Sequence, residues 1–377
     1  MTLTKTEREA RHRAIREIIE KNQLKAILLI GDTNVGPEIY GDFRYYVDNR
    51  IIFYRQVAVV FAQLEPVLFA GSAIQRQAAE RRSAVKDCRF SDNFVIDIAK
   101  LLKERGITTG RVGVNLEVLS VAWHTYLRQE LPRIEWVEIH DQIMNIRVHH
   151  SEGEADLFRK GGPLADGGYE AALKMIRPGV SEFEIAEAIE GYARARGAEQ
   201  HFTLIGSGKF RLGEGDSLPL PYSPSFRRVE AGDSVVMEIT PCYEGYWTQL
   251  VRTVNVGRPN PDLEKLHRVC CGAIRKGLEE LKPGKTVKDV VLAMDVYVTG
   301  SGHLLKPPLG HICGVDLIEA RVSQQNEKRL EPGTAVILHP TVFTPDGKNS
   351  FFWGETYLVT QEGHERLHLS GDELLTL

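Results

Sequence analysis

Long apolar runs are missing from this 377-residue chain. No stretch approaches the roughly 20 consecutive apolar residues that cross a bilayer. The first 21 residues are heavily charged, whereas a secretory signal requires an apolar segment there. The sequence therefore predicts a cytoplasmic protein without a membrane partner.

Cysteine and clustered basic charge are also scarce. The five cysteines form no Cys-x-x-Cys pair, and two of them, Cys270 and Cys271, are adjacent. An odd number with a vicinal pair favours a reducing compartment. The net charge of -4, with both signs interspersed, leaves no basic surface for nucleic acid. We therefore expect a small-molecule substrate and no nucleic-acid partner.

The composition is that of a two-domain globular protein. A hydrophobic content of 42% over this length is enough for two separate cores. Helical and strand patterns alternate between residues 7 and 146, which predicts an α/β N-terminal domain. The chain becomes polar at residues 149–154 (HHSEGE). We place the boundary near residue 150, so the expected domains are 1–150 and 151–377.

The second domain contains an internal repeat. The segment VEAGDSVVMEITP at 229–241 recurs as LEPGTAVILHPT at 330–341, an offset of 101 residues. The segment ALKMIRPGVSEFEIAEAI at 172–189 recurs at 277–294, an offset of 105. Near-equal offsets seldom arise by chance. Each copy reads helix, helix, strand, strand, which predicts a pseudo-twofold domain whose strands meet at a shared centre.

The repeat also locates a candidate site. Period-two alternation in the first repeated strand separates Val235, Met237 and Ile239 from Glu238, which shares its face with Val236. A charged residue near the end of an apolar strand is costly unless it has a partner. In the second copy His339 replaces Glu238. The two positions are therefore expected to lie in one site.

Further polar residues follow each of these strands. The next strands align so that Gln249 lies opposite Gly354, and Glu355 comes directly after that glycine. His311 lies between glycines in a segment with few other charges, GHICG at 310–314. These residues complete the candidate set.

On these motifs the chain resembles the pita-bread family of creatinase, prolidase, aminopeptidase P and methionine aminopeptidase. The resemblance covers nearly the full length and includes the GH-x-x-G-x-x-x-x-E pattern at 310–319, LEPG at 330–333 and the Arg252-Thr253 pair. It implies a fold of the α/β (α+β) class. A creatinase-like α/β domain would precede a pseudo-twofold pita-bread catalytic domain.

The departures from the family pattern bear on function. Family peptidases hold two metal ions with two aspartates, one histidine and two glutamates, because cations that share a hydroxide need bridging carboxylates. Here those positions carry Glu238, Gln249, His311, His339 and Gly354. Both bridging carboxylates are lost. The resemblance then favours creatinase, which hydrolyses a C–N bond without metal, and implies no metal and no cofactor.

Creatine itself is not the expected substrate. The creatinase base is a histidine in the loop before the first central strand, but the loop at 206–228 has none and places Tyr222 there. The two glutamates near the creatine guanidino group fall on His339 and Gly354. The Phe53-Tyr54-Arg55 segment resembles the one that reaches into the partner's site in creatinase, so the resemblance implies a homodimer.

Together these features predict a metal-independent hydrolase of a C–N bond in a small carboxylate-bearing nitrogen compound. The expected catalytic residues are His311, His339, Glu238 and Glu355, and the expected substrate-binding residues are Arg55, Phe53, Tyr222, Gln249 and Trp353. One alternative is a mononuclear metal enzyme that uses Glu238, His311 and His339 as ligands. Another is a non-catalytic module that binds peptides or proteins. A third is a degenerate site in which Glu238 and His339 form a buried ion pair.

Overall fold

A computed structural model describes residues 3–32, 39–51, 53–210 and 221–377. The chain divides into two compact units, Met1–Val148 and His149–Leu377. No helix in the described part of the chain is both long enough and apolar enough to span a membrane.

The first unit is built on one mixed sheet with strand order β4-β3-β2-β1-β5-β6. Its strands are β1 (Leu24–Gly31), β2 (Gln56–Phe61), β3 (Val67–Ala70), β4 (Asp87–Phe90), β5 (Thr109–Val114) and β6 (Arg133–Glu138). Its helices are α1 (Lys5–Lys21), α2 (Gly41–Val47), α3 (Ala73–Arg82), α4 (Phe94–Glu104), α5 (Val121–Glu130) and α6 (His140–Arg147). An apolar core covers each face of the sheet. This explains why β1 and β2 read as almost continuous apolar runs.

The second unit surrounds a larger, mostly antiparallel sheet. Its helices are α7 (Glu152–Met175), α8 (Glu182–Arg194), α9 (Pro261–Glu280) and α10 (Val287–Gly300). Its strands are β7 (Ala198–Gly208), β8 (Ser234–Tyr243), β9 (Tyr246–Trp247), β10 (Leu250–Asn255), β11 (Leu304–Lys306), β12 (Gly310–Cys313), β13 (Ala320–Arg321), β14 (Ala335–Leu338), β15 (Thr341–Phe343), β16 (Ser350–Phe352), β17 (Gly354–Thr360), β18 (Gly363–Arg366) and β19 (Leu375–Thr376).

The strands of the two repeats meet at the centre of this sheet. The order is β13-β12-β14-β17-β10-β8-β7, so β10 of the first copy is hydrogen-bonded to β17 of the second. The expected mixed α/β architecture with strands sharing a centre is confirmed. The strand at 198–208 was not anticipated from the sequence.

The helix starts of the two copies follow the expected chemistry. The Ser181 side chain accepts from the backbone N–H of Glu184, and that glutamate reaches back to the backbone of Ser181. Thr286 and Asp289 form the same reciprocal cap at the start of α10. Each cap satisfies donors that a helix N-terminus leaves unpaired.

Helix α7 contains a segment that disfavours helix, Gly161-Gly162-Pro163. The helix nevertheless continues through Pro163. The glycines serve packing there. A Cβ atom on Gly162 would lie 2.3 Å from the carbonyl oxygen of Leu367. Only glycine therefore allows the helix to approach that backbone so closely.

Candidate functional site

Strand β8 separates an apolar face from a polar one, as predicted. Val235, Met237 and Ile239 belong to the core formed with α7 and α8. Val236 belongs to a separate small cluster with Val251 and Phe352 on the other face. Glu238 shares this second face with Val236 because side chains alternate along a strand.

The strand register shows which residues of the neighbouring strands lie on the same face as Glu238. Glu238 is paired with Val251 of β10, and Val251 is paired with Gly354 of β17. Paired residues of antiparallel strands project to the same side of a sheet. Gln249 alternates with Val251, so it also lies on this face.

The second copy adds its residues to the same face. Thr356 of β17 is paired with Ile337 of β14, which is paired with His311 of β12. His339 follows Ile337 by two positions and projects the same way. Glu238, Gln249, His311 and His339 thus share one face of the sheet, with Gly354 between them. We call this set the trough.

Gly354 forms a floor without a side chain. Glu238 and His339 belong to strands three steps apart in the sheet, or about 14 Å at the usual spacing of about 4.8 Å per strand. A Cβ atom on Gly354 would lie 2.0 Å from the Leu338 carbonyl oxygen and 2.5 Å from the His339 Cα. The floor is therefore bare backbone, and the carboxylate and imidazole side chains stand on either side of it.

Glu238 has the environment of a proton-transfer group. Burial raises the pKa of its carboxyl to about 7, although the hydrogen bond from Gln249 acts in the opposite direction. The Gln249 Nε2 atom donates to Glu238 Oε1 at 2.7 Å and to Thr240 Oγ1 at 3.1 Å. The amide orientation follows from these contacts, which leave Gln249 Oε1 as a buried acceptor without a partner.

Thr356 fixes the backbone of Gln249. Its Oγ1 accepts from the Gln249 backbone N–H at 2.8 Å and donates to the Gln249 carbonyl at 3.1 Å. One hydroxyl thus pairs both backbone groups of a residue in the trough. Thr356 was not among the residues predicted from the sequence. Its spacing of two residues from Gly354 was the available signal, because it places both on one face.

The two histidines of the trough are neutral. Their ring centroids are 5.3 Å apart at an interplanar angle of 67°. Burial, together with the neighbouring His339, lowers the pKa of His311 to about 3, and burial lowers the pKa of His339 to about 4. The Nδ1 atom of each ring is buried without a hydrogen-bond partner. The Glu238 carboxyl pairs with Gln249, and no ion pair with His339 is found among the described residues, so the degenerate-site alternative gains no support.

Glu355 was expected to be catalytic, but the structure places it on the opposite face. It is paired with Leu250, a residue of the core beneath α7 and α8. Its carboxylate binds Arg252 and Arg366, with Arg366 Nη2 at 2.9 Å from Oε2. Burial opposes ionisation, but these two arginines lower the pKa of Glu355. Glu355 therefore forms a buried ion pair and does not belong to the trough.

Trp353 also lies outside the trough. The guanidinium of Arg252 lies 4.5 Å from the centroid of its ring, and the His267 ring on α9 is at 4.7 Å. Trp353 precedes Gly354, so alternation directs it to the helix-covered face. It packs in the core and does not project into the trough.

The candidates of the first unit are placed differently from the expectation. Arg55 donates to Asp32 Oδ2 from Nε at 2.9 Å and from Nη2 at 2.7 Å, and it lies over the ring of Trp123. Its charge is therefore already paired, and we withdraw its assignment to a substrate carboxylate. Phe53 is exposed beside Tyr54, and its role stays a prediction.

Tyr222 is 78% exposed, and its backbone pairs with Ile205. Residues 211–220 of the loop before it lie outside the described residues. The role of Tyr222 in substrate binding stays a prediction.

The donors of the trough do not fit a pair of divalent cations. Gln249 offers a neutral amide where a bridging carboxylate is needed, and Gly354 offers no donor and has no room for one. In the part of the chain that the structure describes, no three His, Cys, Asp or Glu side chains are arranged to hold a metal ion. The mononuclear alternative is likewise unsupported.

Comparisons with known families and proteins agree with this architecture. Residues 156–361 match the model of metallopeptidase family M24, and residues 11–149 match that of the creatinase/prolidase N-terminal domain. Creatinase from a Bacillus species is 28% identical over 370 residues, which covers 92% of this chain and 86% of the relative. The Xaa-Pro dipeptidase of Pyrococcus horikoshii is 26% identical over 365 residues, which covers 95% and 97%.

The solved structures give the same fold. The prolidase from Pyrococcus horikoshii superimposes with a TM-score of 0.84 at 24% identity and covers 97% of this chain and 99% of its own. A Xaa-Pro dipeptidase from Bacillus anthracis gives a TM-score of 0.83 at 23% identity, covering 98% and 100%.

The expectation of a metal-independent hydrolase outside the peptidases is wrong. A relative that matches nearly the whole chain is named Xaa-Pro dipeptidase, and the matching family is one of metallopeptidases. The substitutions at the family's metal-ligand positions, including Gln249 and Gly354, do not place the chain outside this family. Since the M24 model matches more than half of the sequence, this chain belongs to metallopeptidase family M24.

Proposed function

We propose that the chain hydrolyses an amide bond of a dipeptide-sized substrate in the trough, with Glu238 as the proton-transfer group. The observation that carries the proposal is the Glu238 carboxyl, which is oriented by Gln249 at 2.7 Å on the face that also presents His311 and His339. The names of the relatives, creatinase and Xaa-Pro dipeptidase, support a hydrolase of C–N bonds in small substrates.

Glu238 supplies both proton transfers. A carboxylate whose pKa is about 7 is half ionised at neutral pH and accepts a proton from water as the water oxygen attacks the substrate carbonyl carbon. The same proton then passes to the leaving nitrogen as the C–N bond breaks. The products are a carboxylic acid and an amine, and Glu238 returns to its ionised form.

The remaining trough residues position the reactants. Gln249 fixes one oxygen of Glu238 and leaves the other for the attacking water. His339 is neutral, with a buried and unpaired Nδ1, so its ring is available to the substrate without adding charge. Glu238 and His311 lie on strands, and Gln249 and His339 directly adjoin the ends of β10 and β14, which holds side chains more precisely than a loop does.

Two broader expectations accompany this function. We expect the enzyme to act in the cytoplasm as a homodimer on a small-molecule substrate. Sedimentation analysis of the full chain tests the dimer. Since Arg55 is paired with Asp32, any dimer need not place Arg55 in a partner's site.

The experiment is a screen of dipeptides, dipeptide amides and creatine with the purified protein, followed by mass spectrometry of the products. Cleavage of an amide bond in the dipeptide group is the expected result. The Glu238→Gln variant should reduce turnover at least about a hundredfold, the usual size for a lost acid–base group.

Glu362→Gln is the matched control, because it removes the same charge from an exposed loop. It should retain wild-type turnover. Full activity of folded Glu238→Gln on the best substrate would remove Glu238 from the mechanism. A folded protein that cleaves no member of the dipeptide group would contradict the proposed function.

A further inference from the structure

One histidine of the trough, His311, has a buried hydrogen-bond acceptor without a partner. The ring of His311 donates a hydrogen bond to the backbone of Leu317, while its Nδ1 atom is buried and has no partner. Burial and the neighbouring His339 lower the pKa of His311 to about 3, so the ring carries one N–H at neutral pH. Since that N–H is used at Leu317, Nδ1 holds a lone pair.

A second bare acceptor lies on the same face. Both Nε2 hydrogens of Gln249 are used by Glu238 and Thr240, and its Oε1 is buried without a partner. Buried polar atoms in native proteins almost always have a partner, and those that do not require an explanation. Two unpaired acceptors beside a proton-transfer group are explained by a ligand that brings N–H donors.

We propose that His311 Nδ1 accepts a hydrogen bond from the N–H of the amide that is cleaved, so that the enzyme prefers secondary amides and discriminates against bonds to proline. The amino group of the same substrate is the donor for Gln249 Oε1. This inference deepens the proposed function and rests on it. It runs against the names of the Xaa-Pro dipeptidase relatives, because an Xaa-Pro bond has no N–H.

The physical basis of the preference is the cost of an unmade hydrogen bond. A substrate without the N–H leaves the buried His311 acceptor unpaired, which costs about 1–3 kcal/mol, or roughly five- to hundredfold in relative rate. Sites built around a hydrogen bond to substrate exclude analogues that lack it much better than apolar pockets exclude analogues differing by a methyl group.

The test compares two substrates that differ only at this atom, alanyl-alanine and alanyl-N-methylalanine, by kcat/KM with the full-length protein. We expect the N–H substrate to be favoured at least about fivefold, as an unpaired buried acceptor requires. In His311→Ala the ratio should fall to near one. His364→Ala, which changes an exposed histidine, should keep the wild-type ratio. Equal rates for the two substrates, or a preference for the N-methyl form, would overturn the inference.

A binding measurement separates this inference from the proposed function. If neither dipeptide is hydrolysed, alanine methylamide and alanine dimethylamide are titrated into the wild-type protein by calorimetry. Binding that is at least about fivefold tighter for the methylamide, and equal for both in His311→Ala, would support the acceptor role while the hydrolase proposal fails. Equal affinities in wild type, or no binding of either amide, would overturn the acceptor role as well.

Discussion

The two copies of the repeat in the second unit kept their packing and changed their chemistry. Gly167 and Gly272 occupy equivalent places, and a Cβ atom on either would lie 2.1 Å or 2.2 Å from the nearest side-chain atom of Tyr192 or Tyr297. The reciprocal helix caps are also duplicated. By contrast, the first copy brings a carboxyl and an amide to the trough, and the second brings two imidazoles and a backbone without a side chain.

This contrast shows that the scaffold and the site are constrained by different forces. A tyrosine packed on a glycine is a contact between helices, and it survives because any larger residue would separate them. The trough residues contribute little to that packing. They are free to differ as long as buried polar groups find partners. The following experiments test this division, beginning with the largest effect.

The rate should depend steeply on pH through Glu238. A general base must be ionised, and burial raises the pKa of this carboxyl to about 7. Turnover should therefore fall about fiftyfold from pH 7 to pH 5 and level off above pH 8, since the ionised fraction is about one half at pH 7 and drops about tenfold per pH unit well below the pKa. Stopped assays across this range measure the profile. A flat profile would exclude Glu238 as the base.

Removing Glu355 should unfold the second unit more easily without affecting the trough. Glu355→Ala leaves the fully buried Arg252 without its carboxylate partner, which typically costs about 3–5 kcal/mol. Urea denaturation measures the loss. Glu365→Ala is the control, because its partner Arg159 is half-exposed and such pairs contribute at most about 1 kcal/mol. Lost turnover in Glu355→Ala with unchanged stability would return Glu355 to the site.

Glu238→Gln should change how stability depends on pH. The carboxyl has a raised pKa of about 7 in the folded state and an ordinary value of 4.5 in the unfolded state. Its stabilising contribution is complete below pH 4.5 and is lost as the pH rises through 7. Wild type should thus lose about 3 kcal/mol relative to Glu238→Gln over this window. Denaturation at pH 4.5 and 8 measures the difference, and Glu362→Gln should track wild type.

Gly354→Ala should destabilise the second copy's strand. The added methyl group would lie against the Leu338 carbonyl and the His339 backbone, and overpacking of this kind costs about 1–3 kcal/mol. Gly191→Ala is the opposite case. That glycine lies inside α8 with only Glu187 nearby, so alanine should stabilise by about 0.5–1 kcal/mol. Thermal denaturation of both variants tests the pair, and a neutral Gly354→Ala would refute the tight floor.

Thr356→Val should have the smallest effect. It leaves the backbone N–H and carbonyl of Gln249 without their hydroxyl partner, for a loss of about 1–2 kcal/mol in the free energy of unfolding. Thr356→Ser should restore it. Thr253→Val makes the same change at a buried hydroxyl that has no partner, so it should be neutral. Equal losses in the two valine variants would show that Thr356 does not hold Gln249.

Much of this structure could be predicted from the repeat. Its offsets located the pseudo-twofold unit, and alternation along β8 separated Glu238 from the core correctly. Glu355 and Trp353 were misassigned for a single reason. Side chains of a strand alternate, so the neighbours of Gly354 necessarily point away from the face on which Gly354 lies. The Glu355 charge lies next to the expected ligand position in sequence, but its side chain projects to the opposite face of the sheet.

The residues that could not be predicted are those whose role depends on a partner far along the chain. Arg55 looks like a free cation in the sequence, and only the fold shows that Asp32 pairs with it. Thr356 is an ordinary strand residue until the register brings it to Gln249, 107 positions away. Such pairings depend on tertiary structure and leave no local pattern.

Because Gly354 contacts His339, the residues at these two positions can be replaced only together. A Cβ atom at 354 would be 2.6 Å from the His339 Cβ, so a side chain is excluded there while the histidine and its backbone keep this position. If an ancestor carried the two glutamates that the family has at these positions, single replacements cannot restore that arrangement. Restoring a glutamate at 354 alone would collide with the neighbouring strand, and restoring one at 339 alone would leave a single carboxylate above a bare floor. Engineering this protein towards its relatives therefore requires both replacements together with a small shift of β14.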